Sequence, residues 1–213
     1  MLPRLYGYWR SSASWRIRWA FELKKIPYDY IPVNILSDEH RDVAHLARSP
    51  MGTLPVLEVA PGDFLTQSMA ILFWMEENFN NVPMLFGVDR SQRYKILELC
   101  ELINADTAPL QTPRAQKRHS SNTDEKLSFA KSFVEEGLGA FEKLIRKSAG
   151  NYCLGHEMSA ADLFLIPQLY NAKRFKIEID KYPHIYKVWN HCMNSPECIK
   201  SAPESQPDAV ISK

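Results

Sequence analysis

Along residues 1–83, short apolar runs alternate with helical patterns. "PRLYGYW" reads as a strand, residues 14–25 as an amphipathic helix, "YDYIPVNI" as a strand and "EHRDVAHLARS" as a short helix. "LPVLEV" is a third strand, "PGD" a turn, "FLT" a last edge strand and "SMAILFWMEENF" a helix. Helices alternating with strands in this order predict a mixed sheet covered by helices.

After "NNVPMLFGVDR" the period changes. Residues 91–108, 124–148, 160–173 and 184–195 carry apolar side chains at helical spacing, and Leu127, Ala130, Val134, Leu138, Phe141 and Ile145 form one stripe. No strand pattern follows residue 90. The spacing predicts an α/β domain over 1–83, a linker over 84–90 and an all-helical domain over 91–213. Within the latter, Ser159-Ala-Ala-Asp162 ahead of an apolar run is an acidic capping box, so Asp162 reads as a helix cap and not as a catalytic acid.

Composition narrows the partners. Among 213 residues, 26 Lys+Arg stand against 25 Asp+Glu, a balance that gives no electrostatic reason to expect nucleic acid or an anionic membrane. Apolar runs are short and broken by charge, and no apolar N-terminal segment ends at a small-residue cleavage site, which predicts a cytoplasmic chain. Cys100, Cys153, Cys192 and Cys198 lack zinc-ligand spacing and are expected as reduced core thiols; no metal site is expected. His156, His184 and His191 have no partner at metal spacing and read as surface or satisfied core residues. The basic stretch Arg114, Lys117, Arg118 and His119 reads as part of a solvated loop between helices.

Three places carry candidate chemistry. "RSSAS", residues 10–14, gathers hydroxyls where a strand ends and a helix begins, a position where free amides and the helix dipole favour an anion. In "TLPV", Pro55 cannot donate to a ladder; an edge or a cis bond there would turn the backbone of Leu54 outward toward an extended ligand. Gln67-Ser68 caps the helix of "MAILFWMEENF" and offers a second carboxylate site. Together they describe a groove for a short anionic peptide.

"SSASWRIR" resembles the SSCSWRVR stretch of zeta-class glutathione transferases, the maleylacetoacetate isomerases. The likeness continues through "YWRSSASWRIRWAFELKKIPYDYIPVN", "SPMGTLPVLE", "LTQSMAILFWMEE", "GNYCLGHEMSAADLFLIPQLYNAKRFKI" and "YPHIYKV". It implies a thioredoxin-like N-terminal domain followed by an all-α C-terminal domain, glutathione as cofactor, a small acidic or electrophilic substrate and a homodimer.

Carried over, Ser11 would donate to the glutathione sulfur with help from Ser12. Leu54, held by cis-Pro55, would pair with the cysteinyl backbone, Gln67 and Ser68 would hold the γ-glutamyl carboxylate, and His40 would loosely serve the glycyl end. Arg174 matches an arginine that the family uses near its acidic substrate, and Arg10 lies close to the same mouth. A free thiol has a pKa near ~8.5, so a thiolate at neutral pH needs about 2.7 kcal/mol of stabilisation, for which Ser11, the helix N-terminus and Arg16 are candidate sources. Ala13 stands where the family has cysteine and would line the substrate site; Ala108 replaces a polar residue. The implied activity is a glutathione-dependent cis-trans isomerisation in aromatic amino-acid catabolism, or a related transferase activity; a non-catalytic binding protein on the same fold is the alternative.

Overall fold

The structure, a computed structural model, describes residues 2–79 and 83–210. It divides into two compact units, Met1–Pro83 with Ser195–Lys213, and Met84–Asn194.

The first unit contains β1 (Arg4–Gly7), α1 (Ser12–Leu23), β2 (Asp29–Pro32), α2 (Val43–Arg48), β3 (Val56–Ala60), β4 (Asp63–Thr66) and α3 (Ser68–Asn78). The strands lie in the order β2-β1-β3-β4, with β1 and β2 parallel and the other pairs antiparallel. This is the mixed, helix-covered sheet of the thioredoxin-like expectation, with the "FLT" strand at its edge. The expected helix over 39–49 is split into a 3-10 turn at Glu39–Arg41 and α2, and a further 3-10 turn, Ile35–Ser37, begins where the expected strand over 28–35 ends.

Side-chain alternation sorts the sheet into two faces. Tyr6 opposes Val56, and both cluster with Val33, Leu54 and Phe64; Arg48 of α2 lies 4.5 Å from the Tyr6 ring centroid, so α2 covers this face. Gly7 faces the other way, toward α1: a Cβ there would come within 2.9 Å of the Tyr30 ring and 3.3 Å of the Ser14 hydroxyl. The absence of a side chain at Gly7 is what lets the first turn of α1 sit against the strand end.

α1 begins at Ser11, whose side chain accepts the Ser14 N–H at 3.2 Å. It stops in a Schellman arrangement: Lys25 adopts φ 52°, its N–H donates to Glu22, and the Ile26 N–H reaches back to Phe21 at 3.0 Å. Buried Ile26 anchors that stop.

The second unit contains α4 (Arg90–Glu101), a π turn at Leu102–Thr107, α5 (Pro113–His119), α6 (Thr123–Ile145), α7 (Ala160–Arg174) and α8 (Pro183–Cys192). α5 corrects the loop expected over 112–123. The Thr112 side chain accepts the Ala115 N–H at 3.2 Å and Pro113 fills the first turn, a start signal hidden by the polarity of the stretch. Its basic residues are exposed, as expected of solvated ones, with Lys117, Arg118 and His119 at the end where the helix dipole favours cations. Of the stripe on α6, Ala130, Val134, Leu138, Phe141 and Ile145 are buried, but Leu127 in the second turn is exposed.

Asp162 is the cap that its position predicts. Its carboxylate accepts the Ser159 N–H at 2.9 Å and the Cys153 N–H at 2.8 Å, and burial pushes its pKa up against those bonds. His184 pairs with Glu142, and the four cysteines are buried thiols outside any disulfide. Among the described residues, no helix is long and apolar enough to cross a membrane.

The chain then returns. α9 (Pro196–Ser201) packs on α1, and Ser201 accepts the Trp15 Nε1–H at 3.0 Å, so residues from 195 onward complete the first unit and do not extend the helical one. The 84–90 stretch also differs from a plain linker: Leu85 and Phe86 are buried in the second unit, where the Leu85 carbonyl accepts the Ala160 N–H at 2.7 Å. The local period marks helices but not the unit against which an isolated amphipathic helix packs, and this is why the expected boundaries shift.

Candidate glutathione site

Ser11 is positioned by its capping bond. A hydroxyl that accepts one hydrogen bond still has its own proton to donate, so the Ser14 N–H fixes the oxygen and leaves the O–H for a ligand. Ser12 and Ala13 are the first residues of α1, ahead of the first i→i−4 bond, Trp15 N–H to the Ser11 carbonyl at 2.9 Å. Their amides belong to the helix end that attracts anions. Ser11, Ser12 and Ala13 are all partly exposed.

The Leu54–Pro55 bond is cis, and β3 begins only at Val56, so Leu54 lies outside the ladder. The residue before it is held from both sides: the Thr53 N–H donates to the Ser49 hydroxyl at 3.1 Å, and the Thr53 carbonyl lies 3.3 Å from His45 Nε2. His40 is half-buried and its carbonyl crowds Gly52, where a Cβ would approach to 2.8 Å. Desolvation lowers the pKa of His40, and Arg41 lowers it further.

Gln67 adopts φ 72° with ψ 117°, a backbone state that costs a non-glycine residue roughly 1–3 kcal/mol and that clusters at ligand sites. It is exposed, and Ser68 directly after it is buried at the start of α3. Arg16 of α1 donates from Nη1 to the Ser68 hydroxyl at 3.1 Å. This bond turns one N–H of Arg16 toward the start of α3.

Arg10 lies with its guanidinium 5.4 Å from the Trp9 ring centroid and lines a cavity of about 400 Å³ with Tyr8, Asn34, Glu39 and Asp208. In the second unit, Arg174 is the last residue of α7, exposed, with Nη1 3.4 Å from Asn171 Oδ1. The helix ends as α1 does, with Lys176 at φ 56° and the Ile177 N–H on the Ala172 carbonyl at 3.1 Å. Among the described residues, no group of three or more His, Cys, Asp or Glu side chains forms a metal cluster.

Sequence reasoning missed the residues that hold these positions. Arg18, buried within α1, and Asp208, in the C-terminal segment, both bind the backbone just ahead of Ser11. A charged residue inside the apolar stretch "IRWAF" was a usable signal for Arg18. Nothing local marks Asp208, because its partner lies 199 residues away.

Comparison with known proteins gives the family. Residues 5–83 match the glutathione S-transferase N-terminal domain family model, and residues 109–201 match the C-terminal one. A maleylacetoacetate isomerase of Dictyostelium discoideum is 35% identical over 210 residues, covering 96% of this chain and 95% of that protein. The chain belongs to the zeta-class glutathione transferase family. Among solved zeta-class relatives, a maleylpyruvate isomerase superimposes with a TM-score of 0.91 at 30% identity, covering 97% of this chain and all of that one. Maleylacetoacetate isomerase from Anaeromyxobacter dehalogenans, solved with glutathione bound in its active site, superimposes with a TM-score of 0.89 at 37% identity over 98% of both chains.

The zeta-class fold suits glutathione in this chain on its own geometry. One unit presents a hydroxyl with a free proton at a helix end, a main chain leaving the sheet at a cis proline, and a second helix end backed by a buried guanidinium.

Proposed function

We propose that the protein is a glutathione-dependent cis-trans isomerase of the maleylacetoacetate type, acting in the cytoplasm as a homodimer. The observation that carries this reading is the Ser11 hydroxyl, fixed by its cap at the N-terminus of α1 with its proton left over. Full-length similarity to maleylacetoacetate isomerases gives the reaction class.

Bound glutathione supplies a sulfur nucleophile that adds reversibly to a cis double bond, which is the chemistry such an isomerisation needs. The residues of the chain bind and orient. Ser11 donates its proton toward the sulfur, Ser12 and the first amides of α1 add positive potential, and together they hold the deprotonated form. Leu54 offers its backbone to the cysteinyl unit, Gln67 and Ser68 receive the γ-glutamyl carboxylate, and His40 faces the glycyl end. Arg10 in the first unit and Arg174 in the second are each cations suited to a substrate carboxylate and to negative charge developing beside it. Ala13 lines the substrate side with a methyl group where the family places a thiol.

The test is direct. Purified protein with glutathione and maleylacetone should bleach the cis-enone absorbance catalytically, and no turnover at high enzyme concentration removes the assignment. Sedimentation should give twice the mass of the chain.

A further inference from the structure

The backbone that carries Ser11 into place is itself clamped. The Tyr8 carbonyl accepts both the Ser11 N–H at 3.0 Å and Arg18 Nη1 at 3.3 Å. The Trp9 carbonyl accepts Arg18 Nη2 at 2.9 Å, and Arg18 Nε donates to the Ser201 carbonyl at 3.0 Å. On the other side, the Trp9 N–H donates to Asp208 Oδ2 at 2.9 Å. Tyr30 closes the ring: its hydroxyl lies 3.4 Å from Asp208 Oδ2, and its ring centroid is 5.7 Å from the Arg18 guanidinium carbon.

The need for such a clamp follows from the strand ends. β1 and β2 finish pairing at Gly7 and Pro32, so buried Trp9 lies past the ladder, and its N–H must find another acceptor. A neutral local group would satisfy that amide. The chain instead brings a carboxylate from its last residues, which also faces the fully buried Arg18 charge. Asp208 thus holds one side of the two-residue arch whose other side Arg18 holds, and the arch ends on Ser11.

We propose that Asp208 is a positioning residue for the sulfur-facing Ser11, acting through the Trp9 amide, so that the C-terminal segment is part of the catalytic apparatus. The proposal rests on the reading of Ser11 as the sulfur's donor. A displacement of about 1 Å at a reacting group can cost up to a hundredfold in rate, so a loosened arch is felt in kcat before it is felt in binding.

The test compares Asp208→Ala, Asp208→Asn and Ser11→Ala. Asp208→Ala should lower kcat about tenfold with KM for glutathione changed less than about twofold, and should raise the pKa of the bound thiol in an ultraviolet titration. In the glutathione-free protein, amide exchange across residues 8–14 should speed up about tenfold. Asp208→Asn keeps an oxygen for the Trp9 N–H and should restore kcat and exchange. Asp208→Ser, polar but too short to reach Trp9, is read the same way if the alanine variant does not fold. Unchanged kcat, thiol pKa and exchange in a folded variant that has merely lost thermal stability overturns the proposal. If Ser11→Ala abolishes turnover while Asp208→Ala does not, only the positioning role falls. If Ser11→Ala itself keeps full turnover, the reading of Ser11 falls and takes the proposal with it.

Discussion

In the proposed function Ser11 has two tasks for one oxygen, a helix cap and a proton donor, and two measurements read them separately. Ser11→Ala removes both the cap and the proton, and should lower kcat about a hundredfold while costing about 1 kcal/mol of stability. Ser11→Thr keeps both groups and should retain the stability, so melting curves beside steady-state rates distinguish a lost donor from a loosened helix. Ser68 differs in kind: it accepts from Arg16, and the proposed function sets it against the γ-glutamyl carboxylate. Ser68→Ala should therefore raise KM for glutathione several-fold and leave kcat nearly intact, as measured by varying glutathione at saturating substrate. Hydroxyls at helix starts and a proline at a strand start are local signals, and for that reason Ser11, Ser12, Leu54, Gln67 and Ser68 stood out in the sequence, whereas His40, Arg10 and Arg174 entered only through the family resemblance. The groups that orient Ser11 were not legible there, because Arg18 and Asp208 act on backbone atoms from separate parts of the chain, and no period or spacing encodes that.

At the scale of elements, the β3–β4 hairpin depends on a carboxylate. Glu58 accepts the Gly62 N–H at 3.1 Å and the Tyr6 hydroxyl at 3.1 Å, with Arg4 at 3.7 Å; the Gly62 amide is the largest cause holding its pKa below the ordinary 4.5. A carboxyl depressed by folding contributes stability that is fully present above its unfolded pKa and is lost as pH falls through the folded one. The melting temperature of Glu58→Gln should accordingly lie below that of the parent at pH 7 and converge on it as the pH drops from about 5 toward 3. The helix ends allow the opposite change. Lys176 occupies a left-handed position that glycine adopts without strain, so Lys176→Gly should raise stability by about 1 kcal/mol, read from denaturant midpoints. Gly137 of α6 is fixed by contact: a Cβ there would fall 2.1 Å from Thr107 Oγ1 in the π turn. Long periodic helices were legible because most of one face is buried, whereas α5 escaped notice because none of its residues is.

At the scale of the molecule, the first unit is discontinuous: its sheet and α1 come from residues before 84, and its last helix from residues after 194. A chain ended at residue 194 should leave Trp15 and Arg18 without their Ser201 partners, and should fail to retain glutathione on an affinity column while the α-helical signal of the second unit persists. The sequence pattern separated α/β from all-α grammar correctly, but grammar follows neighbours along the chain, and α9 shares its period with the helices it leaves behind. The returning segment also orders events during synthesis. At ~5–20 residues per second, roughly ten seconds pass between emergence of residue 83 from the ribosome and arrival of α9, the time in which the whole helical unit is made. The sheet meanwhile waits with a flank of α1 bare, a window in which a chaperone that shields apolar helix faces would find its client.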